Sequence, residues 1–144
     1  MRFGLCCKFN CEPIKFRDIT AQRLATMSVK DQRNTISTIL HDNAAALDRA
    51  IRYCSANGIM SFRINSRIWP LVTHPDVGYQ LQDLPGHDTI TAAYTDCGRT
   101  AAALQVRLTF HPDQFVLLNS PRPEVVAASI RELEYQSEVA AMVG

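Results

Sequence analysis

The chain's 144 residues, 47% hydrophobic and 20% charged, suffice for about one domain with a packed core and exclude a disordered polar chain. Fifteen Lys and Arg against fourteen Asp and Glu leave a formal charge of +1, which excludes a global field that draws the chain to nucleic acid, membranes or acidic partners. Nucleic-acid contact would therefore need a local patch, with Arg63, Arg67, Arg99, Arg107 and Arg122 as candidates.

No stretch approaches the ~18 apolar residues of a membrane span, and the apolar run in "MRFGLCCKFN" is too short for a signal peptide. The expectation is a soluble, cytoplasmic protein with no membrane partner. Five cysteines, an odd number, suit a reducing compartment better than a disulfide framework. Cys6, Cys7 and Cys11 in "CCKFNC" lack the paired C-x-x-C spacing of zinc sites and read as packing residues.

In chain order, "RFGLCC" (2–7) reads as a first strand, nearly continuous in apolar residues and so suited to burial on both faces. A polar loop with Pro13 follows. Between Lys30 and Asn57, Ile36, Leu40, Leu47, Ile51 and Cys54 recur at three- and four-residue steps, and Gly58 stands where a helix C-terminal glycine belongs. "IMSFRIN" (59–65) has strand composition. Residues 66–88 form a long loop, because Pro70, Pro75, Gly78, Pro85 and Gly86 forbid regular structure, while its tryptophan and leucines argue for order. Residues 89–105 read as a helix weakened by Gly98, and "VRLTF" (106–110) as a third strand. Ser120 and Pro121 start a last helix with Val126, Ile130, Leu133 and Val139 along one face.

The order βαβαβα implies parallel strands joined by right-handed crossovers, with ligands gathering beyond the strands' carboxyl ends. Three such strands leave open edges, so the pattern reads as a truncated piece of a larger α/β barrel, about three βα units.

The triplet His-Pro-Asp occurs twice, at His74–Asp76 in the long loop and at His111–Asp113 directly after the third strand. Each histidine is held by the following proline, and two from successive βα units could share one Zn, Mn or Fe ion. Asp76 and Asp113 could then act as acceptors that set the imidazole tautomers. Alternatively, each histidine caps a turn. His41, inside the long helix, reads as a surface residue, and His87 in "LPGHD" as a turn histidine.

Gln114 and Phe115 could stack on a base and bond its edge, or hold a duplex kinked. Equally, Phe115 with Val116, Leu117 and Leu118 could pack beneath the next helix. Arg63, Asn65 and Ser66 could contact a phosphate, the alternative for Arg63 being a structural ion pair. No Gly-rich phosphate loop, nucleophile elbow or Cys-His dyad is present, and no nucleotide cofactor is expected.

The stretches "MRFGLCC", "FRINSRIWPLVTHP" and "LTFHPDQFVLLNSPRPEVVAASIRELEY", in this order and spacing, resemble the N-terminal half of the UV damage endonuclease family. That resemblance implies a metal-dependent TIM (β/α)8 barrel, related in architecture to endonuclease IV and the xylose-isomerase-like barrels. It also implies incision of double-stranded DNA on the 5′ side of UV photoproducts as the start of excision repair. A cluster of divalent ions, usually manganese, activates the attacking water. On the same resemblance, His74 and His111 are metal ligands, and Gln114 and Phe115 match a Gln-Tyr pair that enters the duplex at the lesion, Phe keeping the stacking face.

Two departures accompany the resemblance. Leu5 stands where a lesion-probing tyrosine is expected, which bears on the range of lesions recognised. The remaining ligands of the metal cluster belong to the second half of the barrel, so the fragment alone is expected to be inactive and its full-length parent active. The rival readings are an abasic-site nuclease or sugar isomerase on the same barrel, and a metal-free binding or structural module whose histidines brace loops.

Overall fold

The computed structural model describes residues 3–10 and 12–144. Arg2 at the start of the expected first strand and Cys11 of "CCKFNC" lie outside the described residues. Three parallel strands, β1 (Gly4–Cys6), β2 (Ser61–Ile64) and β3 (Arg107–Phe110), form a sheet in the order β1-β2-β3. The helices are α1 (Ala21–Ala25), α2 (Val29–Ala56), α3 (His87–Ala103) and α4 (Pro123–Val143).

Helix α2 carries the core. Ser28 caps its start: the Ser28 hydroxyl accepts the Asp31 N–H at 3.2 Å and donates to the Asp31 carboxylate at 2.6 Å. Asn57 is its C-cap, and Gly58 follows at φ +69°, the left-handed conformation that glycine adopts without steric cost. Ile36, Leu40, Leu47, Ile51 and Cys54, the expected stripe, are all buried. Burying each such side chain contributes ~1.5–3 kcal/mol.

Helix α3 starts at His87, two residues earlier than its composition suggests, with Gly86 as N-cap. Gly98 has a packing reason: a Cβ there would lie 2.5 Å from the Val143 carbonyl oxygen, so its bare backbone lets α4 close onto α3. Helix α4 begins at Pro123, with Arg122 as N-cap, instead of at Ser120 and Pro121. Its buried face runs through Ser129, Tyr135, Gln136, Val139 and Val143, whereas Ile130 of the expected stripe is exposed. Residues that continue a helical period need not face the core when a neighbouring layer is missing.

The same cause corrects the expectation for β1. Gly4 and Cys6 are exposed and Leu5 half-buried, so this strand is covered on one face only. The sheet register aligns Gly4 with Ser61 and Arg107, Leu5 with Phe62 and Leu108, and Cys6 with Arg63 and Thr109. Because side chains alternate along a strand, the Leu5–Phe62–Leu108 row faces the helices and the Cys6–Arg63–Thr109 row faces the other way. Phe62 is fully buried and stacks on Phe9 and Phe16, at centroid distances of 5.9 and 6.3 Å.

The loop between β2 and α3 is ordered by its apolar residues, as expected, and holds a short 3-10 turn at Leu81–Asp83. Ile68 and Trp69 are buried. Asn43, fully buried on α2, donates to the carbonyls of Ile68 and Arg17 and accepts the Arg17 N–H. The Tyr135 hydroxyl donates to the Ser66 carbonyl at 2.8 Å and accepts the Trp69 N–H at 3.3 Å, tying α4 to the loop. Among the described residues, no helix is long and apolar enough to cross a membrane.

Candidate functional site

The carboxyl ends of β2 and β3 open into two neighbouring clefts. The smaller, about 220 Å³, is lined by Cys7, Arg63, Asn65, Ser66, His111, Pro112, Asp113 and Gln114. The second, about 320 Å³, shares Ser66 and Asp113 with the first and adds Arg67, Thr73, His74, Phe115, Glu132 and Tyr135, among others. Of the candidates for metal, phosphate and base contact, His74, His111, Gln114, Phe115, Arg63, Asn65, Ser66 and Asp113 line one of these clefts and Asp76 does not. Of the arginines considered for a nucleic-acid patch, Arg63 and Arg67 line them and Arg99, Arg107 and Arg122 do not. The short strands explain this: β2 and β3 end at Ile64 and Phe110, so residues 65–66 and 111–115 emerge together.

The two histidines are held differently. The Nδ1 of His111 lies 2.8 Å from the Pro112 carbonyl oxygen, which can only accept; Nδ1 therefore carries the proton and Nε2 keeps a lone pair. His74 is the reverse. Its Nδ1 receives the main-chain N–H groups of Asp76 and Val77, at 3.2 and 3.4 Å. Main chain thus stands where carboxylates were expected to fix the tautomers. The Asp76 carboxylate is exposed, and the Asp113 carboxylate accepts the Phe115 N–H at 3.1 Å.

Tested against a divalent cation, His111 fits: it lines the smaller cleft, and with Nδ1 taken up by the Pro112 carbonyl its Nε2 is the nitrogen left to bind. His74 in this ring orientation directs no free lone pair from Nε2. Among the described residues, no three His, Cys, Asp or Glu side chains converge to hold an ion.

Phe115 is 75% exposed, with Leu117 and Leu118 at 45% and 56%, so this segment does not pack beneath α4. It is nonetheless fixed: the Val116 N–H bonds the Asp113 carbonyl, and the Leu117 N–H bonds the buried Ser129 hydroxyl at 2.8 Å. The result is a braced loop that holds an aromatic ring in solvent. Arg63 donates to the Cys6 sulfur instead of forming a carboxylate pair. Burial, and then the adjacent Cys6, push the Cys7 thiol above its ordinary range, against the opposing pull of Arg63. From the sequence Cys7 reads as a packing residue; the fold places it in the smaller cleft with His111 and Arg63.

The remaining histidines take minor places. His41, half-buried on α2, has its Nε2 3.3 Å from the Thr89 hydroxyl, so it links α2 to α3 and is not free at the surface. His87 opens α3, 3.2 Å from Asp88 and outside both clefts.

The motifs at the strand ends agree with comparison to known proteins. The model of the family described as UV-endonuclease UvdE matches residues 1–144. The chain belongs to this family. Among its UvdE relatives, a UV DNA damage endonuclease of Deinococcus radiodurans is 30% identical over 145 residues, covering 96% of this chain and 44% of its own length. One of a Nostoc species is 29% identical over 144 residues, covering 98% of this chain and 42% of its own. The crystal structure of SacUVDE superposes on the whole chain with a TM-score of 0.83 and 26% identity, but the match covers 46% of SacUVDE. This UvdE chain therefore spans less than half the length of the relatives it matches, and its three βα units are part of a TIM-barrel-type α/β fold.

Proposed function

We propose that this chain is the N-terminal part of a UV DNA damage endonuclease that cuts duplex DNA 5′ to UV photoproducts with the help of divalent metal ions, manganese first among them. The observation that carries this reading is the loop His111–Phe115. It follows a half-buried strand, places His111 on the smaller cleft with its Nδ1 taken up by the Pro112 carbonyl, and holds Gln114 and Phe115 in solvent. A ring fixed in this way can stack on a base at a distorted step, where the unstacking energy is already lowered, while Gln114 bonds the base edge.

On this reading His111 is a metal ligand and His74 its candidate companion from the same pair of loops. The bound ions would supply Lewis-acid stabilisation of the scissile phosphate and an activated water. Arg63, Asn65 and Ser66 would orient the phosphate from the floor of the smaller cleft, Arg63 releasing Cys6 to do so. Asp113 holds the loop by its bond to the Phe115 N–H, and Asp76 supplies a main-chain N–H to His74. Because no three ligands converge among the described residues, the 144-residue chain by itself should not incise DNA.

The test is incision of UV-irradiated, untreated and abasic duplexes with added manganese, by this chain and by the chain joined to the second half of a family barrel. Cutting of irradiated duplex by the joined form alone, abolished in His111→Ala with unchanged thermal unfolding, is the expected result. Preference for the abasic duplex would replace the UV reading with an abasic-site nuclease. Full activity of His111→Ala would sink the metal assignment.

A further inference from the structure

We propose that the adjacent thiols of Cys6 and Cys7 form a two-sulfur binding site for a trivalent arsenical at the edge of the smaller cleft. In a continuous strand, neighbouring side chains point to opposite faces, which would keep two adjacent cysteines apart. Here β1 stops at Cys6. The Lys8 N–H turns back to the Cys6 carbonyl, a three-residue turn centred on Cys7, while the Cys7 N–H still bonds the Arg63 carbonyl at 3.2 Å. This curl brings the Cys7 sulfur to 3.5 Å from that of Cys6. Cys6 is exposed and Cys7 half-buried, so the pair is reachable from solvent, and Cys7 also lines the cleft. Cys54 and Cys97 are buried and do not compete.

The separation of the sulfurs selects the ligand. A single soft atom bonding each sulfur at ~2.3 Å spans the 3.5 Å gap at an angle of about 100°. A disulfide, at ~2.05 Å, would draw the sulfurs much closer and needs an oxidant. A zinc-like cation takes four ligands, and among the described residues no third His, Cys, Asp or Glu joins the pair. Trivalent arsenic needs only the two thiols, because its third bond is to its own organic group. The reaction is a condensation of R–As(OH)2 with two S–H groups. Both As–O bonds break, the thiol protons leave with the hydroxides as two waters, and two As–S bonds form. Nothing is oxidised or reduced.

Arg63, which donates to the Cys6 sulfur, lines the same cleft as Cys7, with Asn65 and Ser66. An arsenical on the pair therefore sets its organic group against the residues assigned to the scissile phosphate. That blocking step rests on the endonuclease reading; the binding does not.

The test is phenylarsine oxide, which hydrates to the arsonous acid, titrated onto the chain and read by intact-mass spectrometry. The expected result is one adduct per chain, mapped by proteolysis to the segment holding Cys6 and Cys7 and removed by a small dithiol but not by a monothiol. Cys6→Ser and Cys7→Ser should each abolish the adduct, with circular dichroism showing that both variants fold, and Cys11→Ser should retain it. No adduct, an adduct that survives either of the first two changes, or one lost in Cys11→Ser would overturn the pair as the site. In the chain joined to the second half of a family barrel, adduct formation should stop incision of irradiated duplex, and Cys7→Ser should make incision resistant. Full incision by the adduct-bearing enzyme would refute the blocking step. Failure of the untreated joined enzyme to incise would count against the endonuclease reading, while the mass measurement still decides the site.

Discussion

His74 and His111 share the same two following residues, yet one accepts at Nδ1 and the other donates there. The difference arises where each triplet sits: His74 in a turn whose N–H groups fold back on the ring, His111 on chain just leaving a strand. Leu71, at φ +62°, is among the residues that set up the first turn, and its carbonyl accepts the His74 N–H at 3.0 Å. Phe115 is exposed because the loop beneath it is braced, so its ring stands ready without a rearrangement. In the completed enzyme, Phe115→Ala should lower the preference for irradiated over untreated duplex by roughly tenfold or more, given ~1–3 kcal/mol per stacked base, with little change in unfolding temperature. Competition incision of the two duplexes reads this directly.

The buried thiols make a second residue-level prediction. Burial raises Cys54 to about 11 and Cys97 to about 12, from an ordinary value of 9.0. A thiol whose folded value lies above its unfolded one contributes stability fully present below pH 9 and lost as pH rises through the folded value. Urea midpoints should hold to about pH 9 and then decline toward pH 12, and Cys54→Ser with Cys97→Ser should flatten that decline.

At the level of elements, α2 and α4 shape the site without touching its chemistry. Asn43 clamps two loops to α2, and Tyr135 joins α4 to the main chain at Ser66 and Trp69. Ser66 lines both clefts, so the tyrosine hydroxyl holds the floor of the site in place. Tyr135→Phe leaves the Trp69 N–H and the Ser66 carbonyl short of a partner in a buried place. The expected cost is ~1–3 kcal/mol in denaturant unfolding. Broadened amide signals at Asn65, Ser66 and Arg67 should accompany it; unchanged signals there would mean the bond does not position the cleft.

The whole molecule is an open sheet. Among the described residues, the outer edges of β1 and β3 pair with no strand. A groove of about 660 Å³ runs beside β3, floored by Leu108 and Phe110 and walled by α3 and α4 at Ala101, Leu133 and Val143. Its size and apolar lining fit a further strand of the barrel, and an uncovered edge of this kind invites pairing between copies. The isolated chain should therefore show concentration-dependent association by analytical ultracentrifugation. Joining the second half of a family barrel should suppress it, and association that persists unchanged would place the contact elsewhere.

Composition, periodicity and turn residues by themselves determined the βαβαβα order apart from the short α1, the long helix with Gly58 at its end, the parallel sheet and the two His-Pro-Asp triplets downstream of β2 and β3. Such features are local: a repeat of 3.6 or 2 residues, a glycine in the left-handed region, a proline after a strand. Only the tertiary structure decided which face of β1 and α4 is covered, that Gly98 admits Val143, that Cys7 shares a cleft with His111, and that Phe115 stands in solvent. It also decided which main-chain groups face the Nδ1 of His74 and of His111. Those outcomes depend on the partners that the fold brings from distant parts of the chain, and two identical triplets contain no record of them.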